Sequence, residues 1–249
     1  MEKKVVVITG AASGIGRATA LLFSSKDYSV VIADRNKKGS EETLRLIYEK
    51  NKKADAKIIE TDVSIEKEVK HLIDQTIDTY KRIDIMVNNA GISGQTAQSD
   101  DPLEQYHEII DTNQHGVYYG IQHAGQRMVE LGIAGSIINI SSVMAFISSG
   151  GAYAYSASKS AIVIMTKIAA QMFAKQNIHV IGIAPAGVNT PMLNGLGQDQ
   201  VDYFRNQMLG GELLEPEEIA ELIYFSASNK ASAINGSTIF ADDGYLSFK

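Results

Sequence analysis

Six short runs rich in Val, Ile and Ala recur over roughly the first 185 residues: VVVIT at 5–9, SVVIA at 29–33, AKIIE at 56–60, IDIMV at 83–87, SIINI at 136–140 and HVIGIA at 179–184. Longer stretches with helical spacing separate them, such as GRATALLFSS at 16–25 and SIEKEVKHLIDQTIDTYK at 64–81, where Val69, Leu72, Ile73, Thr76 and Ile77 recur on one face. This alternation is what parallel strands joined by crossover helices require. Runs that are apolar almost throughout belong to strands covered on both faces. The expected fold class is therefore α/β, a doubly wound parallel sheet with helices on both faces, formed by residues 1–249 as a single domain. The one long stretch without an evident period, about 189–215, reads as an irregular loop that takes part in substrate binding.

Composition narrows the functional classes. The chain is 45% hydrophobic, enough for a substantial core, and has no cysteine, so a disulfide framework, a thiolate nucleophile and a cysteine-bound metal are all excluded. That suits a reducing cytoplasm, the expected location. The opening MEKKVVVITG reads as a strand, its apolar run being too short for a signal-peptide core. No apolar run approaches the ~20 residues that span a bilayer. A net charge of -6 disfavours nucleic acid as a partner. No two of the five histidines form a metal-binding pair with a nearby carboxylate, so no metal is expected.

The turn after the first strand reads GAASGIG, with Gly10, Gly14 and Gly16 leading into an apolar helix. Glycines permit a tight turn and close backbone approach, and the free N–H groups of the helix N-terminus can accept a pyrophosphate. The second strand is followed by Asp34, about 18 residues past Gly16, where a carboxylate can accept hydrogen bonds from the adenosine ribose and repel a 2'-phosphate. The expected cofactor is NAD. Arg35 could neutralise that phosphate, so NADP is the less favoured choice, and Ser13 in the turn supplies no second cation. Asp62 and Val63 end the third strand, where they could meet the adenine; Asp62 could equally cap the next helix. After the fourth strand, Asn89, Ala90 and Gly91 are small enough to leave room in the crevice of an open α/β sheet.

Taken together, TGAASGIG, TDVS, NNAG, Asn113 in DTNQHG, NISS, YSASK, APAGVNTPM and INGSTIFADDGY occur in the order and approximate spacing of one family. The chain resembles a short-chain dehydrogenase/reductase over nearly its whole length, which implies a Rossmann-like fold and nicotinamide-dependent oxidoreduction. The resemblance implies Asn113, Ser142, Tyr155 and Lys159 as the catalytic group. It places Gly10, Ser13, Ile15, Asp34, Asp62, Val63 and Asn89 against the cofactor, and Val188 and Thr190, after Pro185, near the nicotinamide carboxamide. It further implies a homotetramer, for which Ile162, Met165, Ile168 and Met172 form a suggestive apolar stripe.

The spacing of Tyr155 and Lys159 is no evidence alone, because Tyr48/Lys52 and Tyr245/Lys249 share it. Context separates them. Four helical residues rotate by about 40°, putting Tyr155 and Lys159 on one face, whereas Tyr153 lies about 120° from Lys159. Tyr153 is expected to be a pocket wall or a packing residue. A tyrosine, with a pKa near 10, is mostly in the wrong state to act as a base at neutral pH. A lysine charge at ~4 Å, worth about 4 kcal/mol at an effective dielectric of 20, would suffice to lower it. Ser142 would stabilise charge on the substrate oxygen; Ser141 competes for that role, and the family's Ser-to-Tyr spacing selects Ser142.

The sequence departs from the family where Pro-Gly becomes Pro185-Ala186 and Asp-Gly-Gly becomes Asp242-Asp243-Gly244. The alanine methyl is expected to restrict the backbone beside the nicotinamide, with Gly187 able to restore the turn. Residues 92–98, 143–151 and the apolar side chains Met192, Leu193, Leu196, Tyr203, Phe204 and Met208 are expected to line the substrate pocket. Their character favours an uncharged secondary alcohol or ketone. The alternatives are a 3-oxoacyl carrier-protein reductase using NADPH and a non-catalytic nucleotide-binding regulatory protein.

Overall fold

A computed structural model describes residues 3–94, 97–147 and 152–247. Its core is a parallel sheet of β1 (Val5–Thr9), β2 (Ser29–Asp34), β3 (Asp55–Glu60), β4 (Ile85–Asn88), β5 (Ser136–Ile140), β6 (His179–Pro185) and β7 (Thr238–Ala241), in the spatial order β3-β2-β1-β4-β5-β6-β7. The doubly wound arrangement follows from side-chain alternation within each strand. Val5 and Val7 point into one apolar layer, and Val6 and Ile8 into the other. The first layer is closed by α3 (Glu66–Tyr80), α5 (Gly116–Glu130) and α6 (Tyr153–Phe173), through Leu72, Ile121 and Phe173 among others. The second is closed by α1 (Gly14–Ser25), α2 (Lys37–Lys50) and α9 (Pro216–Ser226), through Phe23, Ile47 and Ile223. Burying each such Val, Ile or Phe contributes about 1.5–3 kcal/mol, so the two-sided strands anchor the molecule.

Strand order reverses between β1 and β4. Connections leave these neighbours in opposite directions, opening a crevice at their carboxyl ends. β7 was not among the strands expected from sequence: it has four residues, begins with Thr238 and is only partly buried, so it lacks the apolar run that marks the others.

The stretch 189–215 is not the irregular loop its composition suggests. It holds α7 (Pro191–Asn194) and α8 (Gln198–Gln207). Thr190 caps α7, accepting a hydrogen bond from Leu193 N at 3.3 Å, and Pro191 occupies the first helical turn, where its missing N–H costs nothing. Between α4 (Pro102–Ile110) and α5 the chain forms a π-helical turn, Asp111–His115. Such turns cluster at functional sites.

Candidate active site

The crevice is shaped by glycines. Gly10 has φ +67°, a conformation that costs glycine little, and a Cβ on it would lie 2.8 Å from Ala90 Cα. A Cβ on Gly16 would lie 2.2 Å from Gly10 O and 2.7 Å from Asn89 Nδ2. Helix α1 therefore starts in backbone contact with the β1 turn. Ser13 is its N-cap but makes no side-chain capping bond, so the first-turn N–H groups are left to an outside acceptor. Arg17 and Thr43 stiffen the turn from behind: Arg17 donates to Ala12 O and to Thr43 Oγ1 (3.0 Å), and Thr43 Oγ1 donates to Ala11 O (2.9 Å).

Gly10, Asp34, Arg35, Thr61, Asp62, Val63, Ala90, Gly91, Ile92 and Thr112 line one cleft beside this turn. Asp34 is fixed at its rim by hydrogen bonds from Ala12 N (3.0 Å) and Asn36 N (2.8 Å). Arg35 lies 3.5 Å from Asp62, so its charge is partly occupied. Asp62 does not cap α3, whose N-cap is Ile65; it accepts instead from the N–H and hydroxyl of Ser64 (3.0 and 2.7 Å). Asn89 spends its amide nitrogen on Thr9 O (2.8 Å) and Gly10 O (3.2 Å), clamping the β4 loop to the β1 turn. Thr9, which sequence reasoning passed over, accepts the N–H groups of Asn89 and Ala90 on its hydroxyl. Ile15 packs against the apolar layer beneath α1. Across the turn, Thr190 Cγ2 would lie 3.2 Å from a Cβ on Gly14, so the segment of Pro185, Val188 and Thr190 closes the crevice from the β6 side.

Asn113, Ser142, Tyr155 and Lys159, the group implied by the family resemblance, meet at the crevice end. Lys159 is buried and donates from Nζ to Ile140 O at 2.9 Å. Asn113, fully buried in the π-turn, accepts from Ile92 N (2.8 Å) and donates to Ile92 O (2.9 Å) and Ser158 Oγ (3.3 Å). A Cβ on Gly91 would fall 3.3 Å from Asn113 Oδ1 and 3.4 Å from Lys159 Nζ, so the three residues converge. The two serines divide their work: Ser141 donates to Lys159 O (2.8 Å), and Ser142 accepts from Met144 N (3.2 Å) with its hydroxyl near Tyr155.

The electrostatics differ from the sequence expectation. Lys159 Nζ lies 5.6 Å from the Tyr155 ring centroid, against Ile140 O. Burial pushes the Tyr155 phenol above its ordinary pKa, while the Ser142 hydroxyl works in the opposite sense. Burial also lowers Lys159 to about 8. The lysine acceptor is a backbone carbonyl, which leaves no signal in a residue pattern.

Other expectations shift as well. Tyr153 is 82% exposed and so is not a packing residue. Leu193 is buried, and Met208 forms a cluster with Val143, Tyr245 and Phe204, so these apolar side chains serve packing first. Ala186 is not among the residues with positive φ, so its methyl imposes no backbone strain, and it joins the same cluster. Expected pocket residues 95–96 and 148–151, and Lys249, lie outside the described residues. Among the described residues no group of three or more His, Asp or Glu is arranged to hold a metal ion.

Residues 10–246 match the family described as Enoyl-(Acyl carrier protein) reductase. The chain is 33% identical over 246 residues to the 3-oxoacyl-acyl-carrier-protein reductase of Thermotoga maritima, covering 99% of each chain. The chain belongs to the short-chain dehydrogenase/reductase family. It is also 34% identical to (+)-borneol dehydrogenase 2 of Salvia officinalis, over 98% of this chain and 89% of that protein. A third relative, the cis-4-hydroxycyclohexanecarboxylate dehydrogenase of Sinomonas cyclohexanicum, is 34% identical over 98% of this chain and 96% of its own. The crystal structure of levodione reductase superposes with a TM-score of 0.92 at 27% identity, covering 100% of both chains. As a short-chain dehydrogenase/reductase the chain falls among oxidoreductases, and no described helix is long and apolar enough to cross a membrane.

Proposed function

We propose that residues 1–249 act as one catalytic domain that transfers hydride between NAD(H) and an uncharged secondary alcohol or ketone. The observation that carries the reading is the convergence of Ser142, Tyr155, Lys159 and Asn113 at the end of a crevice whose opposite rim is Asp34. The crevice fits a dinucleotide: its glycines leave space a side chain would fill, and the α1 N-terminus offers unpaired donors. When bound, the nicotinamide accepts or supplies the hydride. Gly10, Ser13, Gly14, Ile15 and Gly16 would hold the pyrophosphate, Asp34 the adenosine ribose, Asp62 and Val63 the adenine, and Asn89, Ala90, Gly91, Pro185, Val188 and Thr190 the nicotinamide half.

In oxidation Tyr155 Oη takes the hydroxyl proton as the carbon loses hydride; in reduction it returns a proton to the carbonyl oxygen. Ser142 donates to that oxygen and stabilises its developing charge. Lys159 and Asn113 hold the proton path beneath the phenol. Relatives named for borneol and for a hydroxycyclohexane acid favour a cyclic alcohol. Asp34, acidic and firmly held, favours NAD over NADP despite Arg35.

A carrier-protein reductase using NADPH is the second reading, favoured by the Thermotoga relative. NADH and NADPH titrations, followed by a screen of borneol, cyclohexanol and their ketones against a 3-oxoacyl thioester, separate the two. Asp34→Ser should weaken NADH binding about tenfold and improve NADPH binding. Tighter NADPH binding by the unmodified chain would overturn the choice of NAD. A homotetramer is part of the proposal, although the apolar stripe is not as expected: Ile162 is buried, and Ile164, Ile168 and Met172 form the exposed face.

A further inference from the structure

Asp243 stands in the left-handed region at φ +39°, where an L-residue is strained and Asp is among the better tolerated. The strain coincides with three contacts to the end of α8. Asp243 Oδ2 accepts from Gly210 N at 2.6 Å, Asp243 O accepts from Leu209 N at 2.9 Å, and a Cβ on the adjoining Gly244 would lie 2.3 Å from Leu209 Cδ1. Two residues on, Tyr245 is 2% exposed and stacks on Phe204 of α8, ring centres 5.8 Å apart and planes at 23°. The same cluster contains Val143, directly after Ser142, and Ala186, directly after Pro185. The C-terminal segment therefore ties the arm 189–215 to both the serine turn and the β6 end.

We propose that Asp243 is a positioning residue that anchors the arm 189–215 over the substrate site through its hydrogen bond to Gly210. The side chain bears no part in proton transfer and touches none of the crevice residues described above; its effect passes through Leu209, Gly210 and α8 to the Met208, Phe204 and Val143 cluster. A glycine here would relieve the backbone while removing the carboxylate, so a loss of anchoring is not obscured by added strain. The functional part of the proposal rests on the oxidoreductase reading, whereas the anchor itself does not.

The test compares Asp243→Gly, Asp243→Asn and the unmodified chain. In Asp243→Gly the Gly210 amide, which loses its acceptor, should exchange with solvent several-fold to about tenfold faster, the span expected for one lost hydrogen bond, while Leu209 N keeps its bond to the backbone carbonyl of residue 243. KM for cyclohexanol should rise several-fold with NADH affinity unchanged, and thermal stability should not fall, because the strain is gone. Asp243→Asn keeps an acceptor and tolerates the left-handed conformation, so it should restore exchange and KM. Unchanged exchange at Gly210 in Asp243→Gly would overturn the anchor whatever the catalytic result. Faster exchange with an unchanged KM would overturn its positioning role. If the unmodified chain turns over no alcohol or ketone, the oxidoreductase reading fails, and exchange still decides the anchor.

Discussion

Lys159 Nζ is held 5.6 Å from the centre of the Tyr155 ring while donating to Ile140 O at 2.9 Å. The ammonium is thus tied to the end of β5, the strand that leads directly into Ser142. Tyrosine, lysine and serine share one mechanical frame: Ser141 grips Lys159 O, and Asn139, on β5, donates to Thr166 of α6 at 3.0 Å. The pair titrates as two groups hindered by burial, the phenol raised and the ammonium lowered to about 8.

Removing the phenol oxygen isolates its chemistry from its packing. Tyr155→Phe is expected to lower turnover by a factor of about 10²–10⁴, the usual range for a positioned acid/base, while leaving dinucleotide affinity nearly unchanged. Steady-state rates and a NADH titration on one preparation check it; a variant keeping most of its rate would sink the assignment.

A phenol with a raised pKa is protonated through the neutral range and becomes a base only as pH rises. Alcohol oxidation should therefore climb with pH into the alkaline range, while ketone reduction, which uses the protonated form, stays level and falls only there. Ser142 works against the rise, so Ser142→Ala should move the alkaline limb to higher pH and slow both directions. Rate profiles measured in both directions from pH 6 to about 10.5 test the sign.

Lys159 makes the folded chain less tolerant of its own charge. Unfolded, the group titrates near 10.5; folded, near 8. Between these values the unfolded chain binds more protons, so this group's contribution to stability improves as pH rises from about 8 to 10.5, and its penalty is fully present below 8. Thermal melts of Lys159→Met and the unmodified chain should show the variant's relative stability falling across that window. A constant difference would contradict the burial argument.

Gly16→Ala tests the cradle. The added methyl meets a backbone oxygen at 2.2 Å, which cannot swing aside as a side-chain tip would. A loss of about 1–3 kcal/mol, or very roughly 3–10 °C in Tm, is expected, with weakened dinucleotide binding. Calorimetry with and without NADH reads both effects.

The parts legible in the sequence are those with a strong local signature. β1, β2, β4, β5 and β6 announced themselves because both faces are covered, β3, only partly buried at the sheet edge, by its Ile58-Ile59 run, and the glycine turn because its geometry admits few residue types. β7 did not, since its four residues, TIFA, are only partly buried, with Phe240 exposed, and are too short and too mixed to make an apolar run. α7 and α8 hid behind Gly195, Gly197 and polar Gln and Asn, which read as loop until Thr190 and Pro191 are seen to start a helix. Tyr155 and Lys159 were legible as neighbours on one face. That the lysine turns to Ile140 O was not, because it depends on how deeply α6 packs on β5.

The π-helical turn at 111–115 has a consequence for what lies on either side of it. It is one residue too many for the pitch of an α-helix, and each residue advances the helix by about 100°, so α4 and α5 run on out of phase. One nearly continuous rod thereby serves two clients. Its first part turns Ile109 towards Ile92 and Ala154, and its second sets Gly116 against Val63 and sends Met128 into the layer under the sheet. Shortening the turn by Thr112 would restore the phase, and no rotation of the rod could then satisfy both layers while keeping Asn113 on Ile92.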